Sequence, residues 1–222
     1  MTKAQGTVGM HLTLNIPDID SFQDGFPRFW LKTMFVGTIT SSPRANALIS
    51  TYVRLVEASL TEYRLGKERT KQFWDTHDSI NLSAIHKGIA HFEACISDMH
   101  RAITCFCHLR NDKDIPENLK GMFQHVRPAF VADRIAGRLR TMRNAVHHLE
   151  QELLEGRMPE GASYTLRPDG PETPVVGEPG QTIKSIDRLT IGGLEITFAD
   201  LAEWLNELGR FAEQLSNYEP KN

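Results

Sequence analysis

Residues 79–110, SINLSAIHKGIAHFEACISDMHRAITCFCHLR, decide the fold class. Leu82, Ile85, Ile89, Phe92, Ile96, Met99, Ile103 and Phe106 fall alternately three and four residues apart. That is the period of an α-helix with one buried stripe, held along the whole stretch. His86, Glu93, Ser97, His100 and Thr104 run along one flank of the stripe, with His86, Glu93 and His100 seven apart. Such a row is either a set of satisfied boundary residues or the wall of a site to which Glu93 or a neighbouring histidine contributes.

The flanking sequence supplies further helices. Ser42-Pro43 joins a capping residue to proline at the first helical position. The helix it opens is expected to run to about Leu65, with Ile49, Tyr52, Val56, Leu60 and Tyr63 on one face and Gly66 as a stop or break. Residues 67–78 read as a loop or a short second helix. A turn at 111–116 leads to a short helix at 117–126, which must end before Pro128. Residues 130–156, FVADRIAGRLRTMRNAVHHLEQELLEG, read as one long amphipathic helix. Val131, Ile135, Leu139, Met142, Val146, Leu149 and Leu153 form its seam, and Arg140, Asn144, His147, His148 and Gln151 fall near the opposite side. A last helix spans about Phe198 to Tyr218.

Between the last two helices the chain is rich in proline and glycine. QTIKSIDRLTIGGLEITF, residues 181–198, suggests strands around Gly192-Gly193. At the other end HLTLNI, His11 to Ile16, alternates like a short strand, and Phe26, Phe29, Trp30 and Phe35 form a dense aromatic group. The expected architecture is mainly α: a bundle of four to five helices with a small β-hairpin insertion near the C-terminus. Residues 1–42 form an arm packing on the core, or in the alternative a docking surface. Residues 43–156 form the bundle, 157–198 the insertion, and 199–218 the helix that completes the bundle.

Composition narrows the function. The formal net charge of −3 carries no general signature of nucleic-acid binding, which argues against non-specific attachment to DNA but not against a local basic cleft. Arg134, Arg138, Arg140 and Arg143 crowd one helix. Three cysteines are too few for a disulfide framework and suit free thiols in a reducing cytosol. Cys105 and Cys107 would point about 160° apart on a helix, so with His108 they cannot chelate a metal. The sequence contains no apolar run long enough for a membrane span and no secretory leader pattern, so a cytoplasmic protein is expected. A glycine-rich phosphate loop, GxSxG and HExxH are missing from the sequence.

Arg143-Asn144-Ala145-Val146-His147-His148 resembles the signature of the HEPN family: arginine, a polar residue, spacers, then histidine, with four to six residues between the end positions. Arg143, Asn144 and His148 match, and a late helix of an all-α domain is the matching setting. The resemblance implies a homodimeric, metal-independent endoribonuclease without cofactor, in a toxin, stress or phage-defence setting, with RNA as substrate and an antitoxin or regulatory protein as a further partner. It also implies Arg143 and His148 as the catalytic pair. A tyrosine that carries regulation in some relatives is replaced here by Glu150. The alternative is a non-catalytic HEPN-like helical module that binds a protein or nucleic acid.

The chemistry is coherent in itself. RNA supplies its own nucleophile, the 2′-hydroxyl. A histidine titrating near neutrality can take or give the proton, and an arginine can hold the crowded charge on phosphorus. On one helix Arg143 and His148 diverge by about 140°. Two copies facing across a twofold axis would bring both to one phosphate. Asn144 would fix the His148 ring, His147 would orient Arg143 or touch RNA, and Arg140, Gln151 and Glu93 would border the cleft.

Overall fold

The computed structural model describes residues 9–22, 25–35, 37, 39–75, 81–113, 115–125, 127–156 and 165–218. Several expectations fall partly outside them, among them the opening of the helix read over 79–110, the end of the segment 67–78 and the start of the Pro/Gly segment. The protein is mainly helical, with two small β-sheets.

Two long helices form the spine: α2 (Pro43–Asp75) and α3 (Leu82–Asn111). α1 (Gly25–Phe35) precedes them. The Ser42 hydroxyl accepts from the Ala45 amide at 3.2 Å and so starts α2 as its sequence requires. α2 does not stop at Gly66, as the sequence reading expected. Gly66 is buried, and a Cβ there would lie 2.9 Å from the Phe92 ring. One turn on, a Cβ at Gly88 would lie 2.9 Å from the Thr70 hydroxyl. These glycines allow two helix backbones to approach closely; they do not end a helix. The pairs Tyr63–Phe92 and Tyr52–Phe106 place the two helices antiparallel.

α3 starts at Leu82, capped by the Asn81 side chain, which accepts from the Ala84 amide. Phe92, Ile96, Met99, Ile103 and Phe106 are buried as the stripe predicts, whereas Leu82 is 57% exposed. Leu82 lies in the first turn, beyond the reach of the helices that cover the rest.

α4 (Glu117–His125) and a 3-10 turn (Ala129–Val131) lead into α5 (Asp133–His147) and α6 (Leu149–Leu154). The single helix expected over 130–156 is therefore three pieces. Ala132 is extended, and His148, at φ −107° and ψ 10°, leaves helical geometry between α5 and α6. The seam holds at Ile135, Leu139 and Met142, but Leu153 is 45% and Leu154 88% exposed. α7 (Phe198–Ser216) fills the remaining face of the spine. Phe106 gathers Phe123, Phe130 and Phe211 at ring separations of 5.5, 5.3 and 4.8 Å, and so joins α3, α4, the 3-10 turn and α7.

The strands are β1 (Gly9–Leu14), β2 (Arg167–Asp169), β3 (Glu172–Pro174), β4 (Gln181–Ile186), β5 (Arg188–Ile191) and β6 (Leu194–Thr197). The expected hairpin is present as β5–β6, turning on Gly192 and Gly193, both at positive φ. It is one part of a larger arrangement. β2, β5 and β6 make one sheet, and β1, β4 and β3 make another in which β1 runs parallel to β4. Residues of the N-terminal arm are thus woven into the insertion. The arm also straps the bundle: Tyr63 donates to the Pro17 carbonyl at 3.0 Å, and Arg210 pairs with Asp20 at 2.8 Å. Of the arm's aromatic group, Phe26 and Phe29 are buried, Trp30 is half-buried and donates to Glu57 at 2.9 Å, and Phe35 is exposed.

Candidate functional site: the groove between α3 and α5

α5 lies between α3 on one side and the β5–β6 hairpin on the other. Its sequence explains both attachments. Ile135, Leu139 and Met142 pack into the core. Arg138 reaches the hairpin and α7: it donates to the Glu195 carbonyl at 3.0 Å, pairs with Asp200 at 3.5 Å and lies 5.8 Å from the centre of the Trp204 ring. One of the four arginines is therefore a structural clamp.

Two others face α3. Ser97 Oγ and His147 Nε2 are 2.9 Å apart, which fixes the register of the two helices. The helices run antiparallel, so His100, three residues beyond Ser97, comes beside Arg143 and Arg140. Burial, then the charge of Arg143 and then that of Arg140, hold the His100 pKa below the ordinary histidine value. Both causes favour the neutral imidazole over the imidazolium. Arg143 donates through Nη1 to Asn144 Oδ1 at 3.1 Å, which among the described residues leaves most of its five N–H donors unspent. Among the described residues no carboxylate forms an ion pair with Arg140 or Arg143.

The residues singled out in the sequence are divided by this geometry. Arg140, Arg143, Asn144 and His147 share the last turns of α5 and the side toward α3. His148 is exposed and closes α5; its amide donates to the Asn144 carbonyl at 2.8 Å. It leaves the helix about 140° away from Arg143. Gln151 lies on α6, where it donates to Glu155 at 3.0 Å. Glu93 is half-buried one turn before Ser97, and burial raises its pKa. Ser97 and His100 were visible as the polar flank of the α3 stripe. Their link to α5 was not, because only tertiary register says which residues of two distant helices meet. Among the described residues, no group of three His, Cys, Asp or Glu side chains is placed to hold a metal ion.

The arrangement can do two things. Two guanidinium groups that meet no carboxylate among the described residues can grip an anion with paired hydrogen bonds. Imidazoles within reach of that anion can move protons. No described helix is long and apolar enough to cross a membrane. Compared with family models, with curated proteins and with solved structures, the chain matches none.

Proposed function

We propose that the protein is a metal-independent endoribonuclease of the HEPN type, a helical bundle of four to five helices acting as a homodimer in the cytoplasm. The observation that carries this reading is the pair Arg140 and Arg143 in the last turns of α5, which meet no carboxylate among the described residues, with His147 held against Ser97 of α3. A chain of net charge −3 that gathers basic groups at one helix end has a local reason to do so.

In the reaction a histidine takes the proton of the 2′-hydroxyl. The 2′-oxygen then forms a bond to phosphorus, and the bond from phosphorus to the 5′-oxygen breaks. A second group protonates the departing oxygen, leaving a 2′,3′-cyclic phosphate and a 5′-hydroxyl. Arg143 stabilises the charge on phosphorus. His148 diverges from Arg143 within one chain and would act across a twofold axis, and the exposed Leu153 and Leu154 of the adjoining α6 support such a contact. A toxin, stress or phage-defence role, with an antitoxin or regulator as partner, belongs to the same proposal.

The test is cleavage of RNA, with EDTA present, by the wild type and by Arg143→Ala and His148→Ala. Activity that survives the chelator and falls by about 10²-fold or more in each variant is expected. Full activity in both variants would overturn the assignment, and a strict metal requirement would overturn the mechanism.

A further inference from the structure

The composite site above needs a second copy. Most of the groove's chemistry lies within one. Ser97 holds the His147 ring at 2.9 Å against α3. His100 lies about one turn along α3 from Ser97, and Arg143 and Arg140 lie about one and two turns back along α5 from His147, which the antiparallel register of the two helices brings toward it. Arg140, Arg143 and His147 lie within roughly 60° of one another around α5, whereas His148 turns out of this sector. The Thr104 hydroxyl is committed to the His100 carbonyl at 2.9 Å, and on α5 the Asn144 amide oxygen accepts from Arg143. Glu93 lies beyond Ser97, away from the arginines, and Asp98 is paired with Arg101 at 3.3 Å. Among the described residues the sector is therefore cationic, with no carboxylate paired to its arginines.

We infer that one protomer by itself seats a phosphate group in the α3–α5 groove, gripped by Arg140 and Arg143 and flanked by His100 and His147. The inference rests on the ribonuclease reading only for the nature of the phosphate's bearer, an RNA backbone. His100 then stands on one side of the phosphate as a proton acceptor, and Ser97 acts as the positioning residue that keeps His147 on the other. His148 lies outside this seat within one protomer and reaches the phosphate only from a second copy.

Histidine NMR on the full chain tests this, with inorganic phosphate as the probe and uridine 3′-monophosphate as the larger one. Both are expected to shift the His100 and His147 ring signals and to leave exposed His86 alone. A bound phosphate should raise the His100 pKa, because its negative charge opposes the two arginines. Arg140→Ala and Arg143→Ala should each weaken phosphate binding about tenfold, the loss of a charge-assisted hydrogen bond. Arg134→Ala, on the far side of α5, should leave binding unchanged and serves as the charge control. Arg143→Lys keeps the charge without the fork and should fall in between, and circular dichroism confirms that each variant is folded. Ser97→Ala should broaden or shift the His147 signal while phosphate still moves His100. Phosphate that moves neither His100 nor His147, or binding indifferent to both arginines, overturns the inference. RNA cleavage measured in parallel separates the two ideas. Phosphate seated as described in a protein that cuts no RNA upholds the seat and removes the ribonuclease reading. Cleavage without these histidine shifts does the reverse.

Discussion

The close approach of α2 and α3 can be tested through Gly66 and Phe92. Replacing Gly66 by alanine in the middle of a 33-residue helix should gain about 1 kcal/mol of helix propensity. Against this, the added Cβ would lie 2.9 Å from two atoms of the Phe92 ring and 3.0 Å from a third. Phe92 is fully buried and touches Tyr63 and Phe198, at ring separations of 6.0 and 5.2 Å, so the ring has little room to retreat. Overpacking of this kind costs about 1–3 kcal/mol. The net expectation for Gly66→Ala is a loss of about 1 kcal/mol, or roughly 2–4 °C in the midpoint for a domain of this size. Phe92→Ala alone should cost about 3–5 kcal/mol. In that background the clash is gone and the propensity remains, so Gly66→Ala should now stabilise by about 1 kcal/mol. The coupling between the two sites is then about 2 kcal/mol, well above the error of a double-mutant cycle. Urea titration of the four proteins, with the slopes checked for constancy, measures it. An equal effect of Gly66→Ala in both backgrounds would show that Phe92 is not what demands the glycine.

Thr70 is fully buried and its hydroxyl meets no partner among the described residues, so Thr70→Val should be neutral or stabilise by up to about 2 kcal/mol in the same titration. Thr197 caps α7 by accepting from the Asp200 amide at 3.0 Å, and Thr197→Ala should lower stability by about 1 kcal/mol. Burial opposes the charge of Asp169, but the hydrogen bonds from Lys184 and the Gly170 amide and the charges of Lys184 and Arg167 outweigh it and depress its pKa. The stabilisation it contributes is therefore present above the unfolded aspartate value of about 3.9 and is lost as pH falls through the lower folded value. Asp169→Asn should accordingly be less stable than wild type at pH 7, with the gap closing in acid on chemical denaturation. If α6 carries the dimer contact, Leu154→Glu should convert dimers to monomers in sedimentation velocity; an unchanged distribution would move the interface elsewhere.

Much of the fold was legible because helix periodicity is a local property. The α3 stripe from Phe92 to Phe106, the Ser42-Pro43 start and the Gly192-Gly193 turn all follow from neighbours in sequence. Gly66 misled for a physical reason: an interior glycine weakens an isolated helix, but here it permits the contact with Phe92 that holds two helices together. Phe26, Phe29, Trp30 and Phe35 read only as a dense aromatic group, yet residues 25–35 are helical, with Phe26 and Phe29 on a buried surface that only the folded bundle provides. The break at His148 leaves no propensity signal, since neither histidine nor its neighbours are helix breakers. In the groove, Arg143, Asn144 and His147 could be placed on one helix from their spacing. The partnership of His147 with Ser97 depends on how α3 and α5 are offset, and no residue pattern records that.

β1 pairs with β4 from Gly9↔Gln181 to Leu14↔Ile186. In a chain leaving the ribosome, this strand emerges long before its partner exists. At roughly 5–20 residues per second the interval is about 10–35 seconds, ample for the helices between them to form. Closing the sheet is therefore expected to follow the pairing of α2 with α3, while α7, which fills the remaining face of the spine, is made later still. During the wait, Met10 and Leu12 sit on a strand with no neighbour, open to pairing with any other extended chain nearby. The parallel pair is a fastener that can close only once β4 has been made, and in the interval before it closes the β1 strand of the nascent protein is exposed to misassociation.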